Sequence, residues 1–226
     1  PKDENDFQVV NSELTSLICD EIRLINKNIS IIFASSSQAE KDNLYGKSKL
    51  NAEISINNLT NDTGISSYIY RLPGVFGKWC KPNYNSVVAT FCHNISNNLP
   101  IHVSDPNFEL NLVYIDDVVE EFIQVIQGRR SSESIQSVQP EYKIKLGNLC
   151  TQIQNFKESR ASLITEKVGS GIIRKLYSTY LSYLSPAQFA YSIASYSDER
   201  GMFAEMIKTK DSGCLLYTSD AADEEE

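Results

Sequence analysis

The hydrophobic positions change period several times along the chain. Over residues 12–26, Leu14, Leu17, Ile18, Ile22 and Leu24 recur at roughly helical spacing, the pattern of a helix covering a sheet. Ile31, Ile32, Phe33 and Ala34 then run without a polar break, as expected of a strand buried on both faces of a parallel sheet, and the run stops at Ser35, Ser36 and Ser37. Residues 44–58 have helical composition and break near 61–64. Tyr68, Ile69 and Tyr70 within residues 66–72 predict the next strand, which makes a βαβ connection. Further on, helices are expected at 87–98 and 118–126, with a Ser- and Gln-rich connection over 128–140. A short strand at 142–146 and a helix at 147–156 follow. Residues 170–184 form another helix on Ile172, Ile173, Leu176, Tyr180, Leu181 and Leu184, which Pro186 ends. Alternation after Gly201 predicts a strand. The fold class is α/β.

Composition narrows the function without naming it. The chain has 226 residues, 41% of them hydrophobic, enough for one good core. A formal charge of -8 argues against a nucleic-acid protein, which would show a basic patch. No apolar run approaches the ~20 residues that span a bilayer, and no signal peptide opens the sequence, so a cytoplasmic protein with no membrane partner is expected. Cys19, Cys80, Cys92, Cys150 and Cys214 are odd in number and form no C-x-x-C pair, which fits plain thiols. His93 and His102 lack a partner motif, and no metal is assigned to them.

The chemistry gathers after the first strand. Hydroxyls at the carboxyl end of a parallel strand stand where open α/β sheets place their ligands. In the helix that follows, Tyr45 and Lys49 are four apart and share one face. A phenol titrates near ~10 and is a poor acid at neutral pH unless its anion is stabilised. An ammonium one turn away does this, while a serine from the strand end, Ser36 or less directly Ser35, hydrogen-bonds the substrate oxygen. The trio suits hydride transfer at a carbinol or ketone. Asp116 and Asp117 are read as structural, at the positive end of a helix they can cap.

Ser36 together with Tyr45, Gly46, Lys47, Ser48 and Lys49 resembles the serine and Y-G-x-S-K signature of the extended short-chain dehydrogenase/reductases, the branch that modifies nucleotide sugars. The run from Tyr70 to Gly77 is similar to that family's strand and loop beside the nicotinamide, which implies cofactor contacts from Tyr45, Lys49, Pro73 and Val75. Leu112 to Val119 resembles its strand-to-helix signature ahead of the substrate lobe. The loop with Lys78, Trp79 and Lys81 resembles one subgroup, bifunctional enzymes of UDP-N-acetyl-L-fucosamine synthesis in which a cupin epimerase domain follows the reductase. In that loop the lysines suit phosphate oxygens and the tryptophan a base or sugar. Two diphosphate contacts of related epimerases do not carry over, because Gly74 and Leu110 replace the asparagine and arginine. The resemblance implies an NADPH-dependent reductase of a UDP-linked 4-keto-6-deoxy-N-acetylhexosamine and a homodimer in the intact protein. A UDP-sugar 4-epimerase or dehydratase with tightly held NAD is the alternative, and a non-catalytic NAD(P)-sensing module is the rival from another class.

The two ends stand apart. No G-x-x-G-x-x-G precedes residue 12, so residues 1–190 read as a Rossmann-like reductase domain without its nucleotide-binding start, unable by itself to turn over. Asp198, Arg200, Gly201, Phe203 and Glu205 resemble the opening D-x-R-G-x-F-x-E of the dTDP-sugar epimerase type of cupin, which implies a diphosphate contact for Arg200 and makes residues 191–213 the first strand of a truncated all-β cupin whose metal is unknown. Residues 214–226 look like the translation of a sequencing-library adaptor and are set aside from fold reasoning.

Overall fold

The structure is a computed structural model and describes residues 5–25, 27, 29–132, 135–209 and 214–220. Asn26, where the first expected helix was to end, lies outside the described residues. So do residues 210–213 of the expected cupin segment and 221–226 of the tail. In chain order the elements are α1 (Asn5–Phe7), a π-helical segment (Gln8–Glu13), α2 (Leu14–Ile25), β1 (Ile31–Ser36), α3 (Leu44–Thr63), β2 (Ser67–Leu72), β3 (Gly74–Phe76), α4 (Val87–Ser96), β4 (Glu109–Tyr114), α5 (Ile115–Ile126), β5 (Tyr142–Lys145), α6 (Leu146–Ser162), β6 (Ile164–Thr165), α7 (Gly171–Leu181), a 3-10 turn (Pro186–Gln188), β7 (Ser195–Asp198), β8 (Gly201–Thr209) and β9 (Cys214–Asp220). They fall into two compact units, Pro1–Val75 with Asn111–Glu141 and Phe76–Leu110 with Tyr142–Glu226.

In the first unit β1 and β2 pair in parallel from Ile31 opposite Ser67 to Ser36 opposite Leu72, with α3 as the crossover. The apolar runs are unbroken because both faces are covered. One face carries Ile31, Phe33 and the fully buried Ile69 against Cys19 and Ile22 of α2 and Ile56 and Leu59 of α3. The other carries Ile32, Tyr68, Tyr70 and Leu72 against Val113, Val118, Phe122, Val125 and Val138. Each side chain so enclosed contributes about 1.5–3 kcal/mol of transfer free energy. Tyr70 also forms an isolated parallel bridge with Gln136.

β3, β4 and β5 form a three-stranded sheet with β4 in the middle. In the second unit α4, α6 and α7 pack on one another. Phe91 and Cys92, Ile153 and Phe156, and Leu176 and Tyr180 are buried there. β8 is the long strand of the third sheet: β7 pairs with it antiparallel at its start, β6 in parallel at Lys208 and Thr209, and β9 antiparallel along most of it. Residues 214–220, set aside at the sequence level, thus form a strand, since Leu215, Leu216, Tyr217 and Thr218 are β-formers and β8 offers an unpaired ladder.

Several boundaries move for local reasons. α3 runs past residue 58 to Thr63, where Gly64 at φ 73° closes it with an N–H bond to the Thr60 carbonyl at 2.8 Å. α5 starts at Ile115 with Tyr114 as N-cap, so Asp116 and Asp117 lie inside the first turn, at the positive end of the helix dipole. α6 extends to Ser162, and α7 stops at Leu181 ahead of Pro186. No helix among the described residues is long and apolar enough to cross a membrane. Among the same residues no group of three or more metal-ligating side chains gathers.

Candidate active site

The end of β1 and the first turn of α3 are built as one piece. The Ser37 N–H continues the parallel ladder to the Leu72 carbonyl at 3.0 Å, and the turn is stitched by Ala39 N–H to Ser36 O at 2.9 Å and Lys41 N–H to Gln38 O at 2.8 Å. Asn43, in extended backbone, then caps the helix by accepting the Gly46 N–H at 2.7 Å. A Cβ on Gly46 would fall 2.3 Å from the Gln38 carbonyl oxygen and 2.6 Å from that of Lys41, so only glycine lets the turn close onto the helix. The glycine of the Y-G-x-S-K motif therefore serves packing. By holding the helix start against the strand end, it fixes where the residues beside it stand.

Tyr45 is half-buried, its ring edge-to-face with Phe7 at 5.4 Å between centroids. The buried Ser48 donates to the Tyr45 carbonyl at 2.8 Å and accepts from Asn11 Nδ2 at 3.1 Å, which ties the π-helical segment to this turn. Lys49, also half-buried, donates from Nζ to the Ala34 carbonyl at 3.2 Å and stands 5.1 Å from the Phe33 ring centroid. Burial pushes its pKa below the ordinary lysine value, and the Glu53 carboxylate pulls part of the way back. Tyr45 and Lys49 are one turn apart on α3, and Lys49 reaches β1 from there.

The three serines are held differently. Ser35 points to α3, where its hydroxyl donates to Glu53 Oε1, so it is engaged inside the protein and does not offer itself to a substrate. Ser36 is on the opposite face of the strand, the side of Ile32 and the α5 core, where its Oγ accepts the Gln38 N–H at 3.2 Å. Ser37, the first residue after β1, is exposed. The sequence contained three consecutive serines. Burial now separates them, with Ser35 and Ser36 enclosed and Ser37 open to solvent.

Pro73 and Val75 follow directly on Leu72, whose carbonyl receives the Ser37 N–H, and both are half-buried at the carboxyl end of the parallel pair. Two residues escaped the sequence reading altogether. Glu53 is 2% exposed, and Arg71 grips it with Nε at 3.0 Å from Oε1 and Nη2 at 2.7 Å from Oε2, while Nη1 of Arg71 meets Glu40. The signal was there: a carboxylate four residues after Lys49 and an arginine inside an otherwise apolar strand.

The remaining candidates belong to the second unit. Trp79 is 79% exposed at φ 61°, with Lys78 Nζ 5.6 Å from its ring, and Lys81 Nζ lies 5.6 Å from the Tyr84 ring. Arg200 occupies a two-residue hairpin between β7 and β8, where its N–H meets Asp198 Oδ1 at 2.9 Å and its Nε meets Oδ2 at 3.1 Å. The D-x-R-G sequence is thereby accounted for locally: Asp198 closes the turn, Gly201 at φ 138° ends it, and the guanidinium beside the carboxylate holds the Asp198 pKa below its usual value.

A parallel strand–helix–strand unit with both faces of its strands covered is the building block of the doubly wound α/β folds. The model of the NAD dependent epimerase/dehydratase family matches residues 1–139, and the chain belongs to that family. It is 49% identical over 217 residues to the UDP-2-acetamido-2,6-beta-L-arabino-hexul-4-ose reductase of Pseudomonas aeruginosa, an alignment that covers 96% of this chain and 58% of the relative. The structure is similar to that of the capsular polysaccharide assembling protein CapF from Staphylococcus aureus, with TM-score 0.84 and 41% identity over 89% of this chain and 56% of that one. It also resembles the UDP-glucuronic acid 4-epimerase of Bacillus cereus solved with NAD, at TM-score 0.66 and 15% identity over 79% of this chain and 69% of that one, a likeness of fold alone. The chain spans somewhat more than half the length of the first two relatives.

Proposed function

We propose that the protein carrying this chain is an NADPH-dependent reductase of a UDP-linked 4-keto-6-deoxy-N-acetylhexosamine, in capsule or O-antigen sugar-nucleotide synthesis. The observation that carries this reading is that Tyr45 and Lys49 stand one turn apart on α3, with Lys49 reaching the Ala34 carbonyl of β1. The 49% identity to a UDP-hexulose reductase supports the substrate class. Lys49, Tyr45, Pro73 and Val75 are the residues that would hold the nicotinamide end of the cofactor, and their donor set fits it: a cationic donor, a phenol and two apolar contacts at the carboxyl ends of parallel strands. When bound, the cofactor supplies the hydride. Tyr45 protonates the C4 carbonyl oxygen of the sugar. Lys49, by its positive charge, favours the phenolate that results and offers a hydrogen bond to the ribose. Ser37, in place of Ser36, holds the oxygen in line with the phenol. Residues 1–190 are the reductase part in this reading, residues 191–213 open an epimerase cupin with Arg200 turned to the diphosphate once Asp198 releases it, and residues 214–226 belong to neither.

The test is Tyr45→Phe in the intact enzyme. Oxidation of NADPH with the keto sugar should fall about 10³-fold while sugar-nucleotide binding, followed by calorimetry, is retained. Wild-type turnover by this variant would overturn the role.

A further inference from the structure

Tyr45, Lys49 and Glu53 follow one another at four-residue intervals on α3, so Lys49 and Glu53 are placed to form the ion pair that such spacing ordinarily gives. They do not form it. The buried Glu53 carboxylate has both oxygens engaged by Arg71, from the neighbouring strand β2, and one of them also by the Ser35 hydroxyl. A carboxylate this deep needs a full set of partners. The forked guanidinium supplies them in a geometry that a lysine ammonium cannot reproduce. Lys49 instead reaches the Ala34 carbonyl and the Phe33 ring, near the serine end of β1. The titratable and charged groups that bear on this region are Tyr45 and Glu53 from α3, Arg71 from β2 and Glu40 from the turn.

We propose that Arg71 and Glu53 are positioning residues for Lys49: by occupying both oxygens of the Glu53 carboxylate, Arg71 prevents that carboxylate from drawing the ammonium down the helix, and so keeps Lys49 at the strand end beside Tyr45. The proposal rests on the reductase reading for its catalytic consequence, but the position of Lys49 can be measured without turnover. Removing Arg71 frees a buried carboxylate that then captures Lys49. Removing the Glu53 charge as well takes away the competitor, so the double variant regains what the single one lost. A clamp that only held α3 to the sheet would also recover stability in the double variant, because the unpaired carboxylate is gone, but it would leave the Lys49 titration unmoved in every variant.

The experiment compares Arg71→Met, Arg71→Lys, Glu53→Gln and the double variant Arg71→Met with Glu53→Gln in the intact protein. Lysines are reductively methylated with carbon-13, and the Lys49 signal is assigned by its loss in Lys49→Arg. Arg71→Met is expected to raise the Lys49 titration midpoint by about one pH unit, and the double variant to return it to the wild-type value or lower. In turnover with the keto sugar, Arg71→Met is expected to lower kcat by about 10²-fold with little change in KM, and the double variant to recover at least about tenfold of that loss. Arg71→Lys, which covers one oxygen and leaves the other, should be intermediate in both measurements, and it replaces Arg71→Met if that variant does not fold. An unmoved Lys49 midpoint in Arg71→Met and Arg71→Lys overturns the proposal, as does a folded double variant no better than the single. Absence of turnover in the wild-type protein would count against the reductase reading alone, with the titration still deciding the clamp.

Discussion

The residues at the end of β1 and those of the 76–86 loop and the β7–β8 hairpin make opposite use of charge. At the strand end the buried charges are tied to a second element: Glu53 of α3 to Arg71 of β2 and Lys49 of α3 to a β1 carbonyl. In the loop and hairpin cations lean on sequence neighbours, Lys78 on the exposed Trp79 and the exposed Arg200 on Asp198. Ties between elements fix a group to within a fraction of an ångström, as bond-making chemistry needs. Contacts between sequence neighbours on an exposed loop fix little and can be exchanged for a ligand at small cost. On the reductase reading proposed above, the contrast suits rigid chemistry in the first region and adaptable binding in the second.

The largest expected effect that could break this contrast is on stability. Glu53→Ala leaves Arg71 and Ser35 facing an empty place in a buried site and should cost about 3–5 kcal/mol, read by urea unfolding. A loss below about 1 kcal/mol would mean that water already reaches the pair. Next comes the choice among serines. Ser37→Ala should lower kcat by about 10²-fold and Ser36→Ala by less than about threefold, and the reverse order would return the role to Ser36.

The third effect is a gain. Burial depresses the pKa of Lys49 in the folded state, so the charged form opposes folding at every pH below that depressed value, and the penalty fades as pH rises through it towards the unfolded value near ~10.4. Lys49→Met should therefore be more stable than wild type at pH 7 and lose that advantage by about pH 10.5, while abolishing turnover. An advantage constant with pH would assign the gain to packing. The smallest effect belongs to the second region: Arg200→Ala should leave the melting temperature unchanged within error and weaken only sugar-nucleotide affinity, so a clear drop in melting temperature would show that the hairpin is structural.

How far the sequence could be read followed the range of the interaction. β1, α3, β2 and the pairing of Tyr45 with Lys49 were legible because each depends on neighbours within one or two turns. Which serine stays open to solvent was not, since burial at the end of β1 depends on elements that pack there from elsewhere in the chain. The Arg71–Glu53 pair joins residues 18 apart through a sheet register that no local pattern states. The D-x-R-G motif was legible in its residues, yet its local purpose, a hairpin closed by Asp198, competed with the family role given to Arg200. The strand at residues 214–220 was set aside on grounds of origin, whereas its β-forming side chains decide where it packs.

The core on the α5 side of β2 draws Tyr68, Tyr70 and Leu72 from before the chain leaves the first unit and Val113, Val118, Val125 and Val138 from after its return. During synthesis the aromatic face of β2 is therefore made well before the residues that cover it. At about 5–20 residues per second a ribosome holds that face bare for several seconds while the intervening stretch is translated. A nascent chain in this condition offers an exposed aromatic strand to chaperones, and the rate of elongation through residues 76–138 sets how long that exposure lasts.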